Sequence, residues 1–317
     1  MNPADIVDAN IEQMVKFSVL QIIGLGTKHG IFPLLSRAPT VQELVDHVGL
    51  PNRRLLLDFI DTLERLGIVA EKGGRLHLNG FTYTVHVPGE RYDLLIHDWV
   101  PVLEEIYRMV DYAFITPVHP HVLMDFDKDA DFWDMRMSTR FSAVYRNAMA
   151  QAAGLRPGMH VLDIGCGSVS PVQFAEMIGY NGFYLGIDYS PALLEIARAR
   201  VEMKNLPVEL KEMDAKLIRP VNEYDVVLMS FVLEYAKDRE RVLRGALETL
   251  KSGGKMVVLE PFRDAFAHIQ ALEFFESLNK DFIGFPSAAE IRDVILEEGF
   301  DVEITRPARS IMVIRKR

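Results

Sequence analysis

Two hydrophobic rhythms alternate along the second half of the chain. Met159-His160-Val161-Leu162-Asp163 is a short apolar run that closes on an acid, and Ile164-Gly165-Cys166-Gly167-Ser168-Val169-Ser170-Pro171 follows it. Apolar residues then recur at helical spacing as far as Ile178. A β-branched run that gives way to helical spacing across paired glycines predicts strand, turn and helix. Phe183-Tyr184-Leu185-Gly186-Ile187-Asp188 is a second strand, Ser190-Pro191 opens a helix over residues 192–204, and Val208-Glu209-Leu210-Lys211-Glu212-Met213-Asp214 is a third strand. Residues 224–230 and 254–260 supply a fourth and a fifth, separated by a helix over residues 239–250. Strands alternating with helices predict an α/β fold, a doubly wound parallel sheet covered by helices on both faces.

The first third follows another pattern. Apolar residues recur at helical spacing over residues 11–35, and Gly24, Gly26 and Gly30 interrupt them, so two helical pieces are expected. Thr40 stands three residues before Glu43, a capping box that starts a helix, and Gly49 before Pro51 ends it. A second helix follows over residues 53–66. Ile68-Val69-Ala70, the turn Glu71-Lys72-Gly73-Gly74 and Arg75-Leu76-His77-Leu78 predict a β-hairpin. Helix, helix and hairpin in this order describe a winged-helix unit. In the helix that would read DNA, however, Arg53, Arg54 and Arg65 are balanced by Asp58, Asp61 and Glu64, so nucleic-acid binding is not expected. A dimerisation module is preferred, and it also explains the apolar run Val19-Leu20-Gln21-Ile22-Ile23. Further helical stretches, over residues 92–113 and 139–153, flank the loop Thr116-Pro117-Val118-His119-Pro120-His121. The expected division is a winged-helix-like dimerisation domain over residues 1–95, a mostly helical linker and substrate-pocket region over residues 96–150, and the α/β domain over residues 151–317.

The length, 317 residues, exceeds the usual reach of one hydrophobic core, in keeping with such a division. Apolar residues at 49% and charged residues at 25% describe a folded globular protein. No apolar window reaches the length of a membrane span, and Met1-Asn2-Pro3-Ala4-Asp5 lacks the basic start of a secretory signal, so a cytoplasmic location is expected. Cys166 is the one cysteine, which excludes an internal disulfide, a thiolate zinc cluster and arsenic methylation through several cysteines. A formal charge of -10 opposes polyanionic partners and suits a small uncharged or cationic substrate. His119 and His121 form an H-x-H pair with no third ligand nearby, and no metal is expected.

Ligands of doubly wound sheets bind beyond the carboxyl ends of the strands, where Asp163, Asp188, Asp214, Ser230 and Glu260 all fall. Gly165 and Gly167 allow the backbone to turn tightly against a ligand, and Ser170 is placed to cap the next helix with Pro171 at its first position. Phosphate-binding loops share these ingredients, but Val169 stands where a dinucleotide fingerprint has its third glycine, and no P-loop lysine follows. Asp188, roughly twenty residues after the turn, is placed to accept both hydroxyls of a ribose, and Asp214 to bind an adenine amino group.

The string Val161-Leu162-Asp163-Ile164-Gly165-Cys166-Gly167, then Gly186-Ile187-Asp188, Asp214 and Tyr224-Asp225-Val226-Val227-Leu228, closely resembles the class I S-adenosylmethionine-dependent methyltransferases, over residues 140–317. With the helical unit in front, the whole chain resembles the O-methyltransferase superfamily that includes caffeate and hydroxyindole enzymes and bacteriochlorophyllide C-methyltransferases. The resemblance implies a Rossmann-like sheet, S-adenosyl-L-methionine as cofactor, a small aromatic or apolar methyl acceptor, and a homodimer built through the N-terminal unit. Oxygen is favoured as the methylated atom over carbon or nitrogen. The resemblance also implies that Asp163, Gly165, Cys166 and Gly167 line the methionine portion, Asp188 and Tyr189 the ribose, and Met213, Asp214 and Ala215 the adenine. Ser230 and Phe231 complete the cofactor site, and residues 141–149 form the helix that closes over it.

Two positions depart from that family. Val169, beside Ser168, replaces a third glycine of the first motif, and Glu234 stands where many plant-type members carry a histidine base after the fourth strand. Glu234 serves as a base only if burial raises its pKa; otherwise it is an ordinary acid at a helix N-terminus. His268 is a second candidate base, or a packed histidine among Phe266, Ile269 and Leu272. Little other chemistry is required, because the sulfonium is already activated and alignment supplies much of the rate. Phe132, Trp133, Phe141, Phe262, Phe266, Phe274 and Phe275 are candidate walls of an acceptor pocket, or simply core. Two other readings fit the motifs: a cofactor-binding decarboxylase or hydroxylase, distinguished by product mass, and a winged-helix regulator, distinguished by salt-dependent duplex binding.

Overall fold

The computed structural model describes residues 3–35, 37–79, 90–117 and 124–317. The chain divides into two compact units, one made of Met1–Ile11, Asp125–Phe266 and Ile283–Arg317, the other of Glu12–Met124 and Ala267–Phe282. These limits replace the contiguous boundaries expected near residues 95 and 150. Both ends of the chain and a late helical segment join units that are distant in sequence.

In the second unit, α1 (Pro3–Lys28) runs on from the first and passes straight through Gly24 and Gly26, which were expected to break it. Gly26 is a packing position: a Cβ there would stand 2.7 Å from the Phe32 ring. The break comes at Gly30, whose φ of 69° is left-handed, before α2 (Ile31–Leu35). α3 (Val41–Val48) carries the expected capping box, with the Glu43 amide donating to Thr40 Oγ1 at 3.1 Å and the Thr40 amide to Glu43 Oε2 at 2.8 Å. After α4 (Arg53–Arg65), β1 (Val69–Lys72) and β2 (Arg75–Leu78) pair antiparallel, with Val69 opposite Leu78. The apolar run offered for dimerisation is used in part inside the protomer, where Val19 and Ile22 are buried. α5 (Glu90–Ile115) brings Phe114 edge-on to Phe59 of α4 at 5.6 Å.

The first unit begins with α6 (Ala130–Met137), which the hydrophobic pattern did not predict, and α7 (Arg140–Ala153). Then come β3 (His160–Ile164), α8 (Ser170–Ile178), β4 (Phe183–Asp188), α9 (Pro191–Lys204), β5 (Val208–Glu212), β6 (Tyr224–Ser230), α10 (Arg239–Thr249) and β7 (Leu250–Leu259). Ser170 is the first residue of α8 and not its cap, and Asp214 lies past the end of β5, where it caps the short turn Ala215–Leu217. α11 (Gln270–Glu276) belongs to the second unit, where Phe274 meets Phe59 and Phe275 meets Tyr107, with ring centroids 5.6 and 4.4 Å apart. α12 (Ala288–Glu297) returns to the first unit and leads to β8 (Val302–Ala308) and β9 (Ile311–Lys316).

The seven strands run in the order β5-β4-β3-β6-β7-β9-β8. The sheet is α/β and doubly wound as expected, but it is not wholly parallel: β9 is antiparallel to both β7 and β8. The reason lies in burial. Ile311, Met312, Val313 and Ile314 are all buried, as an interior strand requires, whereas β8 alternates and forms the exposed edge. The turn between them is held by a buried carboxylate, Asp8, which accepts the Arg309 amide at 2.5 Å, the Ser310 amide at 2.8 Å and the Ser310 hydroxyl. Removing it strands buried donors, so Asp8→Ala is expected to lower unfolding stability by about 2–3 kcal/mol, with Asp8→Asn costing less. Denaturant titration of the full chain reads this directly; an unchanged midpoint refutes it. Among the described residues, no helix is long and apolar enough to cross a membrane.

Candidate active site

The turn after β3 is shaped by its glycines. Gly165 and Gly167 have φ of 66° and 57°, and the amides of Gly165 and Cys166 both donate to the Ile187 carbonyl, at 2.8 and 3.0 Å. A Cβ at Gly165 would lie 2.4 Å from Val232 Cγ2, and one at Gly167 2.4 Å from Met137 Sδ. Both positions therefore require glycine, for the left-handed backbone and for the close packing of Val232 and Met137 against the turn. Cys166, in the same turn, is buried, and burial followed by the charges of Asp188 and Asp163 pushes its thiol well up, so it is a packing group and not a nucleophile.

Asp188 ends β4 inside the protein. Its Oδ2 accepts the Gly167 amide and its Oδ1 the Ser190 amide, each at 2.9 Å, and burial raises its pKa despite those bonds. The Tyr189 amide adds a third bond, and the four lone-pair sites of a carboxylate leave room for a ligand hydroxyl. Asp163 is buried beneath the turn and accepts the Tyr184 hydroxyl at 2.6 Å; burial pushes its carboxyl up to about 7. Met213 donates its amide to the Asp188 carbonyl at 2.8 Å. The Asp214 carboxylate is exposed and paired with Lys216 Nζ at 2.7 Å. Slight burial opposes the effect, but the bonds to Lys216 hold the Asp214 pKa low. Ala215 is half-buried in the following turn.

Several residues of this site carry no sequence signal. Asp134 of α6 forms a two-armed ion pair with Arg200 of α9, one arm at 2.8 Å, and accepts the Ser168 hydroxyl at 2.5 Å. Asp127 accepts the Ser190 hydroxyl at 2.6 Å. Phe126 stacks on Trp133 at 4.5 Å and meets Tyr189 and Tyr235 edge-on, at 5.5 and 4.9 Å. The segment that closes on the glycine turn is thus α6 and its approach, with Met137 against Gly167. Residues 141–149, expected in that role, lie in α7, where Phe141, Tyr145, Arg146 and Met149 are all buried.

Beyond β6 the chain makes a strained corner. Ser230 is half-buried, and Phe231 takes a left-handed φ of 55° while its ring meets Tyr145 at 5.1 Å. Glu260, immediately after β7, is fully buried, and its Oε1 accepts the amides of Val232 and Leu233, both at 3.0 Å. The side chain of Glu234, also buried, hydrogen-bonds this carboxyl, and burial raises the pKa of Glu260. Arg239 faces both acids and donates Nε to the Leu233 carbonyl at 2.8 Å. His268 is exposed and belongs to the second unit, with a left-handed φ of 62°. Phe274 and Phe275 belong to that unit's core as well, whereas Phe262 and Phe266 are buried in the first. His119 and His121 lie outside the described residues; among those described, no group of His, Cys, Asp or Glu is arranged to hold a metal ion.

A seven-stranded sheet with this strand order, a tight glycine turn after β3 and a carboxylate at the end of β4 is the arrangement of the class I methyltransferase fold. Residues 155–284 match the family model described as a methyltransferase domain. The uncharacterized protein MJ0906 of Methanocaldococcus jannaschii is 31% identical over 318 residues, which span 98% of this chain and 86% of that protein. The ubiquinone/menaquinone biosynthesis C-methyltransferase UbiE of Shewanella sediminis is 25% identical over 57% of this chain and 82% of its own length. Among solved structures, the CurJ carbon methyltransferase superposes with a TM-score of 0.65 at 14% identity, over 98% of this chain and 92% of that one. The citrinin polyketide synthase CMeT domain superposes at 0.59 and 15% identity, over 97% and 88%. The chain carries a class I S-adenosylmethionine-dependent methyltransferase domain, and S-adenosyl-L-methionine is its cofactor.

The left-handed glycine turn and the remaining acceptor capacity of the buried Asp188 carboxylate fit that cofactor. Asp188→Ala is expected to weaken S-adenosylmethionine about 100-fold or more, measured by calorimetry, and unchanged affinity would exclude Asp188 from the site. A second expectation concerns pH. The folded pKa of Asp163 lies above the ordinary carboxylate value of 3.8, so its share of stability is present below pH 4 and is lost as pH rises through about 7. Thermal unfolding of the free protein should show that decline, and Asp163→Asn, which cannot ionise yet still accepts the Tyr184 hydroxyl, should flatten it. An equal slope in both proteins would refute the shift.

Proposed function

We propose that the protein methylates a nucleophilic carbon of a small, largely apolar metabolite, at a position activated by a neighbouring phenolic or enolic oxygen. The observation that carries this reading is the buried carboxyl pair of Glu234, after β6, and Glu260, after β7, with Glu234 standing where plant-type O-methyltransferases carry an imidazole. A neutral phenol oxygen must lose its proton before it attacks well, and a carboxylate is a weak base for that step. An electron-rich carbon attacks first, and the proton it then sheds is strongly acidic, so a carboxylate suffices. The similarity to a quinone C-methyltransferase supports the same acceptor class.

The bound cofactor supplies a methyl group on an activated sulfonium. Glu234 would take the proton that the acceptor carbon sheds once the carbon–carbon bond has formed, and the loss of that proton restores the conjugated system. Glu260 fixes Glu234 in place and is itself fixed by the Val232 and Leu233 amides.

The test is turnover of deuteromethyl-labelled cofactor with a panel of quinols, phenols and 1,3-dicarbonyls, the product being read by mass and NMR. A deuteromethyl group on carbon is expected. One on oxygen would overturn the carbon assignment, and a product with no added methyl would return the decarboxylase or hydroxylase reading. Glu234→Gln should lower kcat about 10²- to 10⁴-fold with cofactor affinity unchanged. Full activity in that variant would remove Glu234 from the chemistry.

A further inference from the structure

Both peptide groups that flank Glu234 are tied to the loop before α12. The Leu233 carbonyl accepts Nε of Arg239, the first residue of α10, at 2.8 Å, and the same guanidinium donates Nη2 to the Gly284 carbonyl. The Glu234 carbonyl accepts the Ile283 amide directly, also at 2.8 Å. On the other side of the corner, Glu260 holds the Val232 and Leu233 amides. Glu234 is thus set between a buried acid and a cation, and the cation reaches its backbone through two carbonyls.

The charge of Arg239 is not spent in these contacts. Its partners are neutral carbonyls, and among the described residues no carboxylate lies within ion-pair distance of it. Half-buried, it faces Glu260, Glu234, Glu290 and Arg263. The last two pair with each other and cancel. Asp238, next to it in the chain, is exposed and caps α10, accepting the Arg241 amide at 3.1 Å. What remains is a single cation before two buried carboxyls in contact. Like charges that close cannot both ionise away from water, and burial without a cation favours two neutral acids. One guanidinium balances one negative charge, so the neutral arrangement is a pair that shares one proton and keeps one carboxylate.

We infer that Arg239 is the positioning residue of the proposed proton acceptor, a cation that fixes the corner bearing Glu234 and keeps one carboxylate of the Glu234–Glu260 pair ready to take a proton. The inference rests on the carbon-methylation reading and deepens it. The proton shed by the acceptor carbon takes the pair from one proton to two, and its later loss to water restores the starting state.

Infrared titration of the full chain tests this without any acceptor. The carbonyl band of the protonated pair is assigned by its change in Glu234→Gln and Glu260→Gln, and is followed over roughly pH 4 to 9. Arg239→Gln keeps an amide donor for the Leu233 carbonyl but removes the charge, which disfavours the ionised form. The band should therefore persist to higher pH, its midpoint rising by about 1–2 pH units, while Arg239→Lys keeps the midpoint within about half a unit. An equal midpoint in all three proteins, or an equal rise in both variants, makes Arg239 a merely structural residue and overturns the inference. A band missing from the intact protein throughout the range overturns it as well, since both carboxyls are then ionised. Should Arg239→Gln fail to fold, Arg239→Lys decides, and a midpoint displaced by about a full unit or more counts against the inference. Failure of the shift leaves carbon methylation standing, whereas full activity of Glu234→Gln removes the reading on which the inference rests.

Discussion

One buried carboxylate organises the carboxyl edge of the sheet. Asp188 binds the Gly167 amide with one oxygen and the Ser190 amide with the other, and its carbonyl accepts the Met213 amide. The turn after β3, the start of α9 and the exit from β5 are therefore referred to the same residue. The arrangement works only because Gly165 and Gly167 accept left-handed backbone, which aims the turn's amides inward and lets Val232 and Met137 pack close against it. Desolvation opposes the charge of Asp188, and the amide bonds offset it in part. The group is held ready for further donors at a cost borne by the fold.

The elements of this edge were legible because each has a local cause. The strands β3 to β7 are short apolar runs bounded by turn residues, and the capping box of Thr40 and Glu43 fixes a helix start by chemistry within four residues. What was not legible depends on pairing at long range. β9 is as apolar as the parallel strands, and nothing within Ile311-Met312-Val313-Ile314 says that it enters the sheet antiparallel between β7 and β8. Asp8, some three hundred positions away, holds that hairpin turn, and one aspartate in a helix gives no sign of it. Likewise α6 lacks a continuous apolar stripe, since its Asp134 and Met137 are both spent on the glycine turn.

The site divides along the same line. The places of Asp163, Gly165, Gly167 and Asp188 at the strand ends were legible because strand ends and paired glycines have a fixed spacing. Asp214 was placed correctly in the chain, but its carboxylate turns to Lys216, two residues on, as local capping outweighs any empty pocket. His268 was attractive only for its residue type. Arg239 was invisible for the opposite reason: an arginine among helical residues reads as a solvated face, and only the fold reveals that it faces the buried Glu234 and Glu260.

Interior charge is the feature that separates this site from a mere Rossmann-like sheet. Asp163, Asp188 and Glu260 are all buried with raised pKa values. A sheet selected for stability alone would replace such groups with apolar residues of similar volume. Their retention is understandable if the missing counterparts arrive with the ligand, since each group then gains a partner and binding energy is recovered from strain already present. The same reasoning distinguishes the two ends of the site. Asp188 is held by backbone amides and keeps room for a ligand hydroxyl, whereas Glu234 and Glu260 place like groups together, which suits a proton passing through. Because the sulfonium brings its own activation, placing the cofactor in line with the acceptor is most of what the protein must do.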